Sequence, residues 1–220
     1  MILRKKKYIY IFGTGGLANV VSEIVNNNKD FTIKAYIDDR PIKKFNNKKV
    51  YKLSNFIDEF ENEEIVIAIG ENIKRKIIYE KLNLKKFKFP NIIDRSAVLS
   101  SSTKLGRGNI ILSNAIMNKN ASVHHFCLIN SGAILEHDCK MDSFSQLSPG
   151  SVVCGNCKIG KGSFIGANTT IIQNKKIGNW SVTGAGSLIL ENVDPFTLNF
   201  GSPSKKIRKI DSKYKVFTKY

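Results

Sequence analysis

The chain has 220 residues, 42% of them hydrophobic, and a formal net charge of +17 from 35 Lys and Arg against 18 Asp and Glu. That length holds one large domain or two small ones, no apolar run reaches the roughly 18 residues of a membrane helix, and four cysteines are too few for a disulfide scaffold. The lysines are scattered among asparagines, without the dense stripe or aromatic signature of a nucleic-acid reader, so the positive excess suits small anionic ligands better than nucleic acid.

The N-terminal tip is basic and leads into the apolar Tyr8–Phe12. That apolar stretch is too short for a secretory leader and ends in glycine with no small-residue cleavage site, so a cytoplasmic location is expected. Lys7–Phe12 reads as a buried strand, followed by the turn Gly13, Thr14, Gly15, Gly16 and a helix over Leu17–Asn26. Thr32–Ile37 reads as a second strand ending at Asp38 and Asp39. Ile65–Ile69 is a third, followed by Gly70, Glu71, Asn72 and a helix carrying Arg75. Strands alternating with helices predict an α/β part, a small Rossmann-like parallel sheet over residues 1–95. A glycine turn at a strand-to-helix junction lets the backbone approach a phosphate, and an acid ending the second strand can hold a ribose hydroxyl. A nicotinamide-dependent oxidoreductase is the competing reading. The GxGxxG spacing is only loosely met, and the space before the next segment suits a mononucleotide. A purely structural role for the loop is a further alternative.

From Leu99 onward a six-residue period takes over. The positions Leu99, Leu105, Ile111, Met117, Val123, Ile129 and so on to Ile189 are aliphatic or Met, with Thr183 the exception. Two residues before each stands a small residue, from Ala97, Thr103 and Asn109 to Ser187, with Lys175 the exception. No helical period produces this pattern. A hexad with one bulky and one small residue makes one side of a triangular coil, and three hexads close it, so residues 18 apart stack. Residues 96–220 are therefore expected to form a parallel β-helix of about five coils and a C-terminal tail; the hexapeptide pattern resembles that of left-handed β-helices, which implies the left hand. Cys127, Cys139 and Cys157 fall in the small-residue series. They read as core fillers rather than as a zinc or redox pair with Cys154, and no metal is expected.

The combination is more specific than either half. A short nucleotide-binding fold with Ala68-Ile69-Gly70-Glu71-Asn72 and then Arg75 precedes a β-helix carrying Asn130-Ser131-Gly132-Ala133-Ile134-Leu135-Glu136-His137-Asp138-Cys139. Over roughly residues 7–208 this resembles the sugar acyltransferases typified by sialic acid O-acetyltransferase. It is closer still to the N-acetyltransferases of nucleotide-linked 4-amino-4,6-dideoxyhexoses in bacillosamine and perosamine pathways. The resemblance implies acetyl-CoA as co-substrate, a homotrimer with sites between subunits, and a place in O-antigen, lipopolysaccharide or other surface-glycan synthesis.

It also implies roles for individual residues. His137 is the general base and Asp138 its supporting carboxylate, since imidazole as a residue type titrates nearest neutrality. Gly155, 18 residues on, offers a backbone N–H to the oxyanion. Gly166, Ala167, Gly184 and Ala185 form a bare ledge for pantetheine, with Pro203 and Lys205 closing the CoA groove. The nucleotide-sugar is assigned to Gly13, Thr14, Gly15, Gly16, Asp38, Asp39, Asn72, Arg75 and Asn118. Two departures from the family pattern matter. Gln146 replaces a histidine near the thioester and can position ligand but take no proton, and Leu17 replaces a polar residue after the glycine turn. His124 and His125 read as surface or groove residues, His125 as a potential substrate contact. Sugar O-acetylation and a non-catalytic nucleotide-sugar-binding trimer are the alternative functions.

Overall fold

A computed structural model describes residues 7–28, 30–211 and 213–217; the basic tip before Lys7 lies outside the described residues. The chain divides into two units, residues 1–70 with 74–92, and residues 71–73 with 93–220. The sequence pattern draws that line three residues later, after residue 95.

The first unit contains β1 (Lys7–Phe12), α1 (Gly16–Asn27), β2 (Phe31–Ile37), β3 (Lys44–Phe45), β4 (Lys48–Tyr51), α2 (Leu53–Glu59) and β5 (Glu64–Ile67), with α3 (Asn72–Leu82) following. The sheet order is β3-β4-β2-β1-β5. β1 lies between β2 and β5 and is parallel to both. A central parallel strand is apolar on both faces, which is why Ile9–Phe12 are all buried and read as one continuous run. The β3–β4 hairpin and α2 are additions to the predicted pattern. The hairpin turns at Asn46 and Asn47, both at positive φ, and Asn tolerates that conformation better than most residues with a Cβ.

In the second unit every hexad contributes a two-residue strand, and strands 18 residues apart pair in parallel, as Ile116 does with Val98 and Ile134. The second residue of each strand points inward. Met117, Val123, Ile129, Leu135, Met141 and Leu147 fill the prism, and Ala115, Ala121, Cys127, Ala133, Cys139 and Cys157 fill the space beside them. Thr183 is fully buried in an aliphatic slot. From Gly108 to Gly186 the third residue after the bulky one takes a left-handed φ at each corner, as at Asn114, Asn120, Asp138, Asn156, Asn168 and Asn174. The chain's many asparagines thus have a conformational cause. Leu147 lies in mid-prism with no exposure. Leu147→Ala is expected to cost about 2–5 kcal/mol, read as a lower midpoint in urea denaturation.

The first residue of each strand points outward and gives the three sides different surfaces. Val98, Ile116, Ile134, Val152, Thr170 and Leu188 form an aliphatic face, half-buried except for the exposed Val98. Lys104, Ser122, Lys140, Lys158 and Lys176 form a lysine face. Ile110, Leu128, Gln146, Phe164 and Val182 form a third face that is buried throughout. Among the described residues, no helix is long and apolar enough to cross a membrane.

Candidate active site

His137 stands on the corner where the chain passes from the aliphatic to the lysine face. The turn that makes this corner puts Asp138 at φ 61°, directing its carboxylate back to the preceding side chain. His137 Nδ1 lies 2.9 Å from Asp138 Oδ2. Asn120, one coil earlier at the same corner, donates from Nδ2 to Asp138 Oδ1 at 3.0 Å. The hydrogen bonds from His137 and Asn120 hold the Asp138 carboxyl below its ordinary range. An ionised Asp138 keeps Nδ1 of the imidazole as the donor, which leaves Nε2 free to accept a proton. The imidazole side chain is 60% exposed, and its Nε2 makes no hydrogen bond among the described residues.

Gly155 occupies the equivalent place in the next coil. A Cβ there would stand 2.6 Å from both Cε1 and Nε2 of His137. The absent side chain is what lets the ring lie against the coil. Among the described residues the Gly155 N–H donates no hydrogen bond, while its carbonyl accepts from Asn174 N at 3.0 Å. A polar donor without a partner beside an imidazole is the arrangement an oxyanion needs. Asn118 donates from Nδ2 to Glu136 Oε2 at 2.8 Å, so Asn118 and Glu136 border His137 on the aliphatic side. Glu136 is a neighbour to which the sequence pattern assigns no role.

Gly166, Ala167, Gly184 and Ala185 lie on a different corner, between the buried and aliphatic faces. A Cβ on Gly166 would meet the backbone of Gly184 and Ala185, and one on Gly184 would meet Phe200. Both glycines therefore serve close packing within the chain, and Ala185 is the exposed member of the ledge. Pro203 and Lys205 are exposed at the hairpin formed by Thr197–Phe200 and Lys205–Lys209. Gln146 stacks between Leu128 and Phe164 on the buried face. It is 3% exposed, its Oε1 has no hydrogen-bond partner, and its Nε2 makes one long contact of 3.4 Å to Ser148 Oγ. Within one chain, Gln146 and the ledge are on other parts of the prism from His137. His124 and His125 sit on the far edge of the lysine face. His124 pairs with Asp142 at 3.2 Å, and His125 Nδ1 accepts the Arg107 N–H at 3.0 Å. Burial, then Arg107, push the His125 pKa down. Among the described residues no three His, Cys, Asp or Glu side chains gather as metal ligands.

In the first unit the glycine turn and the second strand's end do meet. Gly13 has φ 117°, and a Cβ there would stand 2.8 Å from the Ala68 carbonyl oxygen. Gly15 and Gly16 face open space, and α1 starts with neither a capping side chain nor an acid in its first turn. Its first N–H groups are available to an anion. Asp38 Oδ2 accepts from Thr14 N at 3.0 Å and from Thr14 Oγ1 at 2.7 Å. Arg40, absent from the sequence-predicted set, donates to Asp38 Oδ2 at 2.8 Å and to Thr14 Oγ1 at 2.7 Å. Burial alone would raise the Asp38 pKa, but the bonds from Arg40 and Thr14 outweigh it and hold it at about 2. Asp39 accepts the Leu53 N–H at 3.0 Å at the start of α2. Arg75 is 1% exposed and donates to the Ile69 carbonyl at 2.8 Å. Asn72, which belongs to the second unit, donates to the carbonyls of Gly162 and Ser163 at 3.1 Å. These last two side chains hold main chain.

The coiled prism that carries this imidazole–carboxylate pair on its corner is a hexapeptide-repeat β-helix. Residues 138–173 match the bacterial transferase hexapeptide (six repeats), and residues 8–82 match the PglD N-terminal domain. Together the two matches mark the N-terminal unit and the middle of the prism as similar to parts known from other proteins. It is 32% identical over 111 residues to UDP-N-acetylbacillosamine N-acetyltransferase of Bacillus subtilis (strain 168), covering 46% of this chain and 50% of that protein. The match thus spans half the length of that curated relative. A His-to-Ala mutant of GDP-perosamine N-acetyltransferase from Caulobacter crescentus, in complex with CoA and GDP-perosamine, superposes with a TM-score of 0.86 at 26% identity, covering 91% of this chain and 97% of that one. The acetyltransferase domain of PglB from Neisseria gonorrhoeae, in complex with acetyl coenzyme A, gives 0.87 at 27% identity, covering 92% and 100%.

Proposed function

We propose that the chain is an acetyl-CoA-dependent N-acetyltransferase acting on the 4-amino group of a nucleotide-linked 4-amino-4,6-dideoxy sugar. It would serve O-antigen, lipopolysaccharide or other surface-glycan synthesis in the cytoplasm. The observation that carries this reading is the His137–Asp138 pair, with Nε2 open and the unpartnered Gly155 N–H behind it. The amine attacks the thioester carbonyl carbon and forms the C–N bond, and its proton passes to His137 Nε2. Charge on the carbonyl oxygen is met by the Gly155 N–H. The C–S bond then breaks, and the CoA sulfur takes the proton from the imidazolium. The relatives named above, solved with CoA, acetyl-CoA and GDP-perosamine, support both substrate classes.

The nucleotide is assigned to the α1 N-terminus, with its diphosphate over Gly15 and Gly16 and Arg40 as the nearest anchored cation. The distribution of surfaces supports a homotrimer. The aliphatic face leaves Ile116, Ile134, Val152 and Leu188 only half-buried and Val98 61% exposed. Packing copies through that face buries this ladder. It also brings the His137 corner of one copy towards the Ala167–Ala185 corner of the next, which one chain alone keeps apart. The test is release of free thiol from acetyl-CoA against UDP-, dTDP- and GDP-linked 4-amino sugars. A base-stable amide product on one of them is expected. No release with any amino sugar contradicts the proposal, and a base-labile ester moves the assignment to O-acetylation.

A further inference from the structure

The lysine face has no part in the proposed transfer. Its outward column pairs in register from coil to coil, Lys104 with Ser122, Ser122 with Lys140, Lys140 with Lys158 and Lys158 with Lys176. Neighbouring strands of a sheet lie about 4.8 Å apart, so the last three lysine stems leave consecutive coils within one screening length of each other. Like charges directly opposite on a sheet oppose its formation. All four lysines are exposed, and among the described residues none of them forms an ion pair. The acids at the two edges are already engaged, Asp138 by His137 and Asn120, Asp142 by His124. Two open hollows flank Lys140. One of about 540 Å³ reaches Lys104, and one of about 350 Å³ reaches Lys158 and Lys176.

We propose that this face docks the protein on an anionic lipid surface. Lysine is a compact charge on a flexible stem, suited to mobile phosphate headgroups, whereas fixed bidentate recognition calls for Arg. The outward column holds no Phe, Tyr or Trp on which bases of a single strand would stack. It also holds none of the Trp, Tyr or Arg anchors that dominate protein–protein hot spots. What it offers is a rigid row of unpaired positive charge, complementary to a negatively charged plane. The proposed assembly uses the aliphatic face and leaves this one free.

The experiment is sedimentation of the full chain with phosphatidylcholine vesicles, with and without phosphatidylglycerol, at about 0.15 M salt. Retention on the anionic vesicles alone is expected. The triple variant Lys140→Gln, Lys158→Gln, Lys176→Gln should partition roughly 100-fold more weakly, about fivefold for each lysine withdrawn from the lipid surface. A control that removes equal charge from the first unit, Lys44→Gln, Lys85→Gln, Lys86→Gln, should stay within roughly a few-fold of the parent. Circular dichroism checks that both variants keep the fold. The proposal is overturned by failure of the anionic vesicles to retain the chain, or by equal loss in both triple variants. It also falls if the ladder variant loses a single-stranded oligonucleotide while keeping the vesicles.

Discussion

Replacing His137 with Ala lowers turnover by roughly 10²–10⁴-fold, the range that removal of a general base produces. The amine must lose a proton as the C–N bond forms, and the imidazole is the base whose second nitrogen lies without a hydrogen bond beside an unpartnered backbone donor. The side chain is 60% exposed and bonds to Asp138, itself 50% exposed, so truncation removes little packing. Folding, read by circular dichroism and thermal melting, should stay close to the parent. Near-parent turnover in a folded variant would remove His137 from the mechanism.

Gly155→Ala separates position from chemistry. Nothing in the backbone forbids the substitution, since Gly155 is not among the positive-φ residues. The added methyl, however, would lie 2.6 Å from the His137 ring. The ring is the mobile end of an exposed side chain, so it moves rather than the coil. Displacing a reacting group by about 1 Å is enough for a loss of roughly 10²-fold. Turnover should therefore fall by about that factor with the melting temperature nearly unchanged. A fully active Gly155→Ala variant would mean that ring placement against this coil does not matter to the reaction.

The prism was legible because its information is local. One bulky and one small residue recur every six positions, and each coil repeats the same packing problem with its neighbours. β1, β2 and α1 were legible for a similar reason, a short apolar run ending at glycine or acid. The β3–β4 hairpin was not, because Lys44–Tyr51 is mostly lysine and asparagine and carries no clean alternation. Arg40 was missed because its importance is tertiary. Only when β1 and β2 pair do Thr14 and Asp38 come together and the guanidinium lie across both. The partners of Asn72 and Arg75 were hidden in the same way, since main-chain carbonyls leave no mark in a sequence. The lysine face is visible only at a step of 18, and a step of six passes over it.

The most direct measurement is a crystal structure of the chain with CoA and whichever nucleotide-linked amino sugar releases thiol. The account predicts the sugar nitrogen within about 3 Å of His137 Nε2, in hydrogen-bond reach, and the thioester position facing the Gly155 N–H. A sugar nitrogen bound beside a different base, with the His137 ring turned to bulk solvent, would contradict it.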